Sequence, residues 1–461
     1  MSLVAGTFGG IPRVRAQDAY IPNQGSDNMT IVNSRDFSDR ITVSVGDEPH
    51  ESAATHDARY VFVSNRAAGT IAVFDTTTRT ELDTDGNAAN GTTRIVAGLQ
   101  PHGLAVTPDD RTLLVTNDGS DDVSVVSIAA LRVIGTVPAV GDGPHMIAIT
   151  PDGREAWTGN IDGGDVSILD VALAIADPAH AVLCRTPGGS GSACRIPAGQ
   201  GTEGVTFTHD GKTAYVASGS SGTVTLIDVK TRQVIRTLSI SGWPLRVAVR
   251  PDGHRAYVSQ FSGTSIVVID TATGLIVPGE QITGVVDSLG MDFYAEGTAM
   301  FVGNFDASMV TVIPLPDTGA RQFIPTGSKP DSALLLPEEV RGVRIGSDRA
   351  TLTWDRKYVA TAYHVYRTIG TVAGSSFQCA STPDPDPSDT TYVDPDLPVP
   401  GQLFTYTIAI VQGAREGILG FTSDGVLRQR TTACSSSRQK TAAGRWSATI
   451  EAGGMPGEQP T

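Results

Sequence analysis

Few residues in this chain of 461 carry charge, 18%, and positive charge is the scarcer kind: 34 Lys and Arg face 49 Asp and Glu, a formal net charge of -15. A nucleic-acid binder meets phosphates with a basic face, and none is visible, so DNA and RNA are set aside. The same acidity argues against anionic membrane surfaces. No apolar run reaches the roughly 18–20 residues that a bilayer-spanning helix needs. The four cysteines show no CxxC spacing, which weakens zinc-ribbon and thioredoxin-like readings, and no CxxCH run, which excludes covalent haem attachment. Gly-x-Ser-x-Gly at a strand-to-helix turn, a Walker A loop and a GxGxxG after a strand are all missing.

Glycine (51) and proline (27) are plentiful instead, a mix that fits many short strands joined by tight turns. The strongest signal is internal repetition. Each unit opens on Gly and Pro, runs through an apolar strand to a Pro-Asp-Gly turn, and then through a second strand ending near Asn. A third strand ends in Asp, and a fourth closes the unit. Pro101–Asp109, Pro144–Gly153 and Pro244–Gly253 are clear copies of the opening. β-Branched residues dominate the strands, while Gly and Pro sit at the breaks. Units begin near Gly46, Gly98, Gly141, Gly199, Gly242 and Gly284. A partial unit remains at each end, late strands at residues ~20–45 and a first strand at ~328–337. Joined, they make a seventh unit that closes a ring and leaves no open edge. The expected fold is therefore all-β, with a seven-bladed β-propeller over residues 20–337.

The Pro-Asp-Gly turns, the strand ends Val63-Ser64-Asn65 and Val115-Thr116-Asn117, and Ile269-Asp270-Thr271-Ala272-Thr273 resemble the YVTN family of β-propellers. That resemblance covers nearly all of residues 20–337 and implies a surface-layer, periplasmic or secreted protein. It says little about activity, because such propellers serve many purposes.

Propeller sites gather at the axis, where each innermost strand begins. One residue per unit, taken after the Pro or its equivalent, gives His50, His102, His145, Glu203, Leu245, Ser288 and Asp331. Ring closure puts Asp331 beside His50, so Asp331, His50, His102, His145 and Glu203 form an arc of candidate metal ligands. Imidazoles flanked by carboxylates suit a transition ion such as zinc, copper or iron. The competing reading is that the imidazoles cap turns or bond a neighbouring blade's backbone. The strand-end residues Asn23, Asn65, Asn117, Asn160, Gln260 and Asn304 recur in nearly every unit, which marks a fold role for their amides. Asp83-Thr84-Asp85-Gly86-Asn87 has a loosely calcium-like spacing without the later bidentate Glu, and reads as a solvated turn.

After Glu339 the repeat stops. Trp354, the alternating run Ala362–Arg367 and the strand Phe404–Ile410 resemble a bacterial fibronectin type III module over residues 338–430, which implies a spacer or second contact. Residues 431–461 are Ser-, Gly- and Pro-rich and read as a disordered tail. Val14–Ala19 resembles the end of a signal peptide, and residues 1–19 are read as a leader or its remnant. Cys184 pairs locally with Cys194, and Cys379 with Cys434. Two such disulfides would place the protein outside the cytosol; four free thiols is the alternative.

The leading expectation is a secreted, periplasmic or cell-surface binding protein whose propeller face takes a protein, glycan or small ligand. The rival is a metal-dependent oxidoreductase or lyase built on the three histidines, with Glu203 as proton acceptor.

Overall fold

The structure is a computed structural model that describes residues 18–336, apart from 57, 87–92, 184–194 and 295–296, together with the backbone of short strands between 344 and 452. Residues 18–336 form seven antiparallel sheets, the blades of a propeller. The inner strands of blades 1 to 6 are Pro49–Ala54, Pro101–Val106, Pro144–Ile149, Thr202–Phe207, Pro244–Val249 and Ser288–Phe293. Blade 7 takes its inner strand, Leu334–Leu335, from one end of the propeller and Asp18–Asn23, Asn28–Asn33 and Ile41–Ser44 from the other. Ala19 pairs with Leu335 and Tyr20 with Leu334, and this closes the ring.

Blades stack because each presents apolar residues on both faces. Leu114 and Val125 of blade 2 pack with Ile147, Ala156 and Leu169 of blade 3. Trp157 of blade 3 meets Phe207 of blade 4 edge-on at 5.5 Å. Tyr20 and Met29 of blade 7 pack with Val61 and Phe74 of blade 1. Each such side chain contributes about 1.5–3 kcal/mol by leaving water.

A buried ion pair reinforces closure. The Arg79 guanidinium of blade 1 grips Asp18 with two nitrogens, Nε at 2.7 Å, and reaches Asp39 Oδ2 at 2.9 Å. Asp18 is 1% exposed, so its carboxylate gains from that cation. Arg79→Met is expected to cost about 3 kcal/mol in urea unfolding, because it removes charge-assisted hydrogen bonds from a buried carboxylate. A loss within 0.5 kcal/mol would mean that closure does not need the pair.

The strand-end amides do work inside the fold. Asn117 Nδ2 donates to Asp122 and Ser124 while its Oδ1 accepts from the Gly98 amide, and Asn160 repeats the pattern with Asp165 and Ser167. Asp83 accepts from the amide and hydroxyl of Thr93, which ties it into its own loop.

Beyond the propeller, Arg344–Ile345, Thr351–Thr353 and Thr391–Val393 form one antiparallel sheet. In a second sheet Ala362–Ile369 pairs residue by residue with Phe404–Val411. Trp354, Cys184, Cys194 and Cys434 lie outside the described residues, and Cys379 is described only as strand backbone, so neither expected cysteine pairing falls within them.

Candidate metal centre at the hub

Every inner strand of blades 1 to 6 starts with the same irregularity. In blade 1 Pro49 pairs with Asn65 and Ser52 with Val63, so His50 and Glu51 oppose Ser64 alone. Blade 2 sets His102 and Gly103 against Thr116, and blades 3 to 6 shift register at the same place. One extra residue per strand is a β-bulge, which bends the strand and re-aims side chains. The second bulge residue is glycine in blades 2, 4 and 6, and Glu51 and Arg246 in blades 1 and 5.

The bulge costs ladder hydrogen bonds, and a hydroxyl replaces them. Ser64 Oγ accepts from the Glu51 amide at 3.1 Å, Thr116 Oγ1 from Gly103 at 2.8 Å, and Ser259 Oγ from Arg246 at 3.1 Å. The same hydroxyls reach the next blade. Ser64 donates to the His102 carbonyl at 2.7 Å and Thr116 to the His145 carbonyl at 2.5 Å. Neighbouring histidines are thereby held at a fixed spacing by their own backbones. Gly103 and Gly204 permit this approach: a Cβ would lie 2.6 Å from the His145 carbonyl in the first case and 2.3 Å from the Leu245 carbonyl in the second.

The register corrects one member of the expected column. Ser288 pairs with Asn304 and so stands where blades 1, 2, 3 and 5 have Pro and blade 4 has Thr202. The axial residue of blade 6 is Leu289. Blade 6, like blade 4, has no proline at this position to mark the register, and here the count slipped by one residue.

His50, His102 and Asp331 each present a ligand atom, and these atoms lie within 4.8 Å of one another, a group that could hold a metal ion. His102 stacks between the other two rings, with centroids 4.5 Å from His50 and 3.6 Å from His145. The buried atoms His50 Nδ1, His102 Nδ1, His145 Nδ1 and Asp331 Oδ1 have no hydrogen-bond partner. His50 Nδ1 and Asp331 Oδ2 stand 2.7 Å apart, but not in hydrogen-bond alignment. We read that contact as two groups facing a shared point, since burial of unmatched polar atoms is costly. Burial and neighbouring positive charge push His102 and His145 well below the usual imidazole range, so both are neutral, the form that ligates metals. Gln24 Nε2 lies 2.8 Å from His50 Nε2, which orients that ring.

Glu203 takes a different place. Together with Glu51 it engages Arg246, the second bulge residue of blade 5: Arg246 Nη2 meets Glu51 Oε1 at 3.0 Å and Nη1 meets Glu203 Oε2 at 3.3 Å. Burial raises Glu203 to about 6 against the opposing pull of Arg246 and a smaller one from Trp243. Glu51 is also pushed up by burial. Reading one residue per blade missed Glu51 and Arg246, because they occupy the other half of the bulge. Three hub carboxylates, Glu51, Glu203 and Asp331, face one guanidinium. When all are ionised, three minus one leaves two negative charges, the charge that a divalent cation offsets.

Past this layer the axis opens into a cavity of about 200 Å³, with Glu51, Arg246, Met146, Met291 and Asp292 in its lining. Asp292 accepts from the Phe293 and Leu335 amides, each at 2.8 Å, yet burial raises it to about 6 from the ordinary 3.8. A raised carboxyl binds protons more readily folded than unfolded. Its stabilising contribution is therefore complete below pH 3.8 and is lost as pH rises through about 6. Across that window Asp292→Asn is expected to flatten the fall in unfolding free energy by about 3 kcal/mol. An unchanged slope would show that Asp292 titrates normally.

A family model described as a lactonase, 7-bladed beta-propeller, matches residues 47–133, a stretch that includes His50 and His102. No curated protein matches the chain in sequence. Several solved structures share its fold. Kuenenia stuttgartiensis hydrazine synthase is 20% identical over 67% of this chain and 92% of that chain, with a TM-score of 0.50. A protein of unknown function from Desulfotomaculum acetoxidans is 15% identical over 70% and 100% respectively, with a TM-score of 0.57. A Bacteroides fragilis protein provisionally described as a 6-phosphogluconolactonase is 15% identical over 70% and 99%, with a TM-score of 0.55. At such identities the likeness concerns fold alone.

Proposed function

We propose that this is a secreted, periplasmic or cell-surface binding propeller whose hub carries one divalent transition ion, copper, zinc or iron, and whose loop face presents a small ligand to that ion. The observation that carries the reading is the convergence of His50, His102 and Asp331 within 4.8 Å while their buried atoms lack hydrogen-bond partners. Imidazole nitrogens and carboxylate oxygens are the donors such ions take. His145, whose ring centroid lies 3.6 Å from that of His102, falls outside that convergent group. The two strand sheets beyond residue 336 are compatible with a fibronectin type III module acting as spacer, and the repeat is read as YVTN-type.

A second reading, a metal-dependent enzyme, is favoured by Glu203. A carboxyl held at about 6 beside the hub is poised to accept a proton near neutral pH. Equilibrium dialysis of the untagged protein against copper, zinc and iron, followed by elemental mass spectrometry, tests the shared premise. About one equivalent of one ion supports both readings, and no retained ion sinks both. With metal bound, turnover of a lactone or phenol panel that disappears in Glu203→Gln would select the enzyme.

A further inference from the structure

One turn recurs in all seven blades at the face where the hub histidines lie. The residue just before the Pro or its equivalent has positive φ, +49° to +68°, at Glu48, Gln100, Gly143, Gly201, Trp243, Asp287 and Lys329. Its carbonyl accepts, at 2.8–3.1 Å, from the first amide after the second strand, at Arg66, Asp118, Ile161, Gly219, Phe261, Phe305 and Gln24 respectively. The face is therefore a ring of seven residue pairs, and their side chains differ by sector.

Blades 1 and 2 carry a closed polar network, with Arg66 bonded to Gln100 and Asp118. Blades 3 and 4 carry glycine at the turn. Blade 5 carries Trp243, where a bulky side chain in the left-handed region is a strained choice that glycine would relieve. The indole is nonetheless 43% exposed. It lies across Gly219, where a Cβ would come within 2.1 Å of its Nε1. Beside it Phe261 is 37% exposed and meets Phe305 edge-on at 5.7 Å. Lys329 of blade 7 is exposed, stands 5.2 Å from the Phe305 ring centroid, and forms no ion pair with another described residue.

We propose that blades 5 to 7 form the specificity wall of the hub site and take a small aromatic carboxylate, its ring against Trp243, Phe261 and Phe305 and its anion between Lys329 and the hub ion. This rests on the metal reading above for the ion alone; wall and lysine stand independently of it. Exposed aromatic faces supply the π-contact that distinguishes an aryl ring from a saturated one.

The test is calorimetric titration of benzoate into the untagged full chain, with the metal content of the same sample measured first. Cyclohexanecarboxylate controls for the ring and benzylamine for the charge. Benzoate is expected to bind more tightly than either control. Trp243→Ala and Lys329→Gln, both at exposed positions, should each weaken it roughly five- to tenfold at an unchanged melting temperature. Metal-loaded protein that binds benzoate and cyclohexanecarboxylate equally, or that ignores both substitutions, overturns the wall and leaves the metal centre standing. If the protein retains no metal, the metal reading fails separately. Benzoate binding that still depends on Trp243 then upholds the wall, and its absence overturns it.

Discussion

Replacing Arg246 by methionine is expected to destabilise the metal-free propeller by about 3–5 kcal/mol, a drop on the order of 10 °C in melting temperature. Arg246 is the single cation among Glu51, Glu203 and Asp331, and it is 8% exposed. Methionine keeps most of its volume but leaves the carboxylates with no countercharge in a site that water barely reaches. Burying unpaired charge is costly, and part of the cost will be met by protonation of Glu51 and Glu203, which burial already pushes upward. Two signatures follow. The variant should recover stability as pH falls, and a divalent ion should stabilise it more than it stabilises the parent. A variant with parental stability at pH 7 and no metal would show that the hub tolerates its own charge.

The second large effect is expected at His102. This ring is 1% exposed, stacks between His50 and His145, and belongs to the convergent group. An ion that binds the folded chain alone stabilises it by mass action, about 4 kcal/mol at a thousandfold excess over the dissociation constant. In His102→Ala the metal-dependent rise in melting temperature should vanish, while the metal-free protein falls only by the small cost of a polar-lined cavity. His102→Gln, which keeps bulk without the imidazole, should behave in the same way. Metal-dependent stabilisation that survives in both variants would place the ion elsewhere.

The architecture was legible because a propeller writes itself seven times. Pro-Asp-Gly turns in two blades, their variants in others and the strand-end Asn of most units mark the register, and the split seventh unit announced its own closure. The hub was half legible. His50, His102, His145 and Asp331 stood out because histidine is rare and three of eight share one repeat position. Glu51 and Arg246 did not, because a bulge breaks the strict alternation on which a one-residue column relies. The signal that could have found them is the Ser or Thr before the strand-end Asn, at Ser64 and Thr116. That hydroxyl satisfies the bulge amide and ties the next histidine's carbonyl. Ser288 misled for the opposite reason: with no proline in blade 6, register came from pairing alone. The face ring of Trp243, Phe261, Phe305 and Lys329 could not be read from sequence, since its members come from two loops per blade.

The most direct test of the central claim is metal stoichiometry in the untagged protein after dialysis against copper, zinc and iron, measured beside Asp331→Ala. The account predicts close to one equivalent of a single ion in the parent and a substantially lower content in the variant. No retained ion in the parent, or equal retention in both, would contradict a metal centre built on His50, His102 and Asp331.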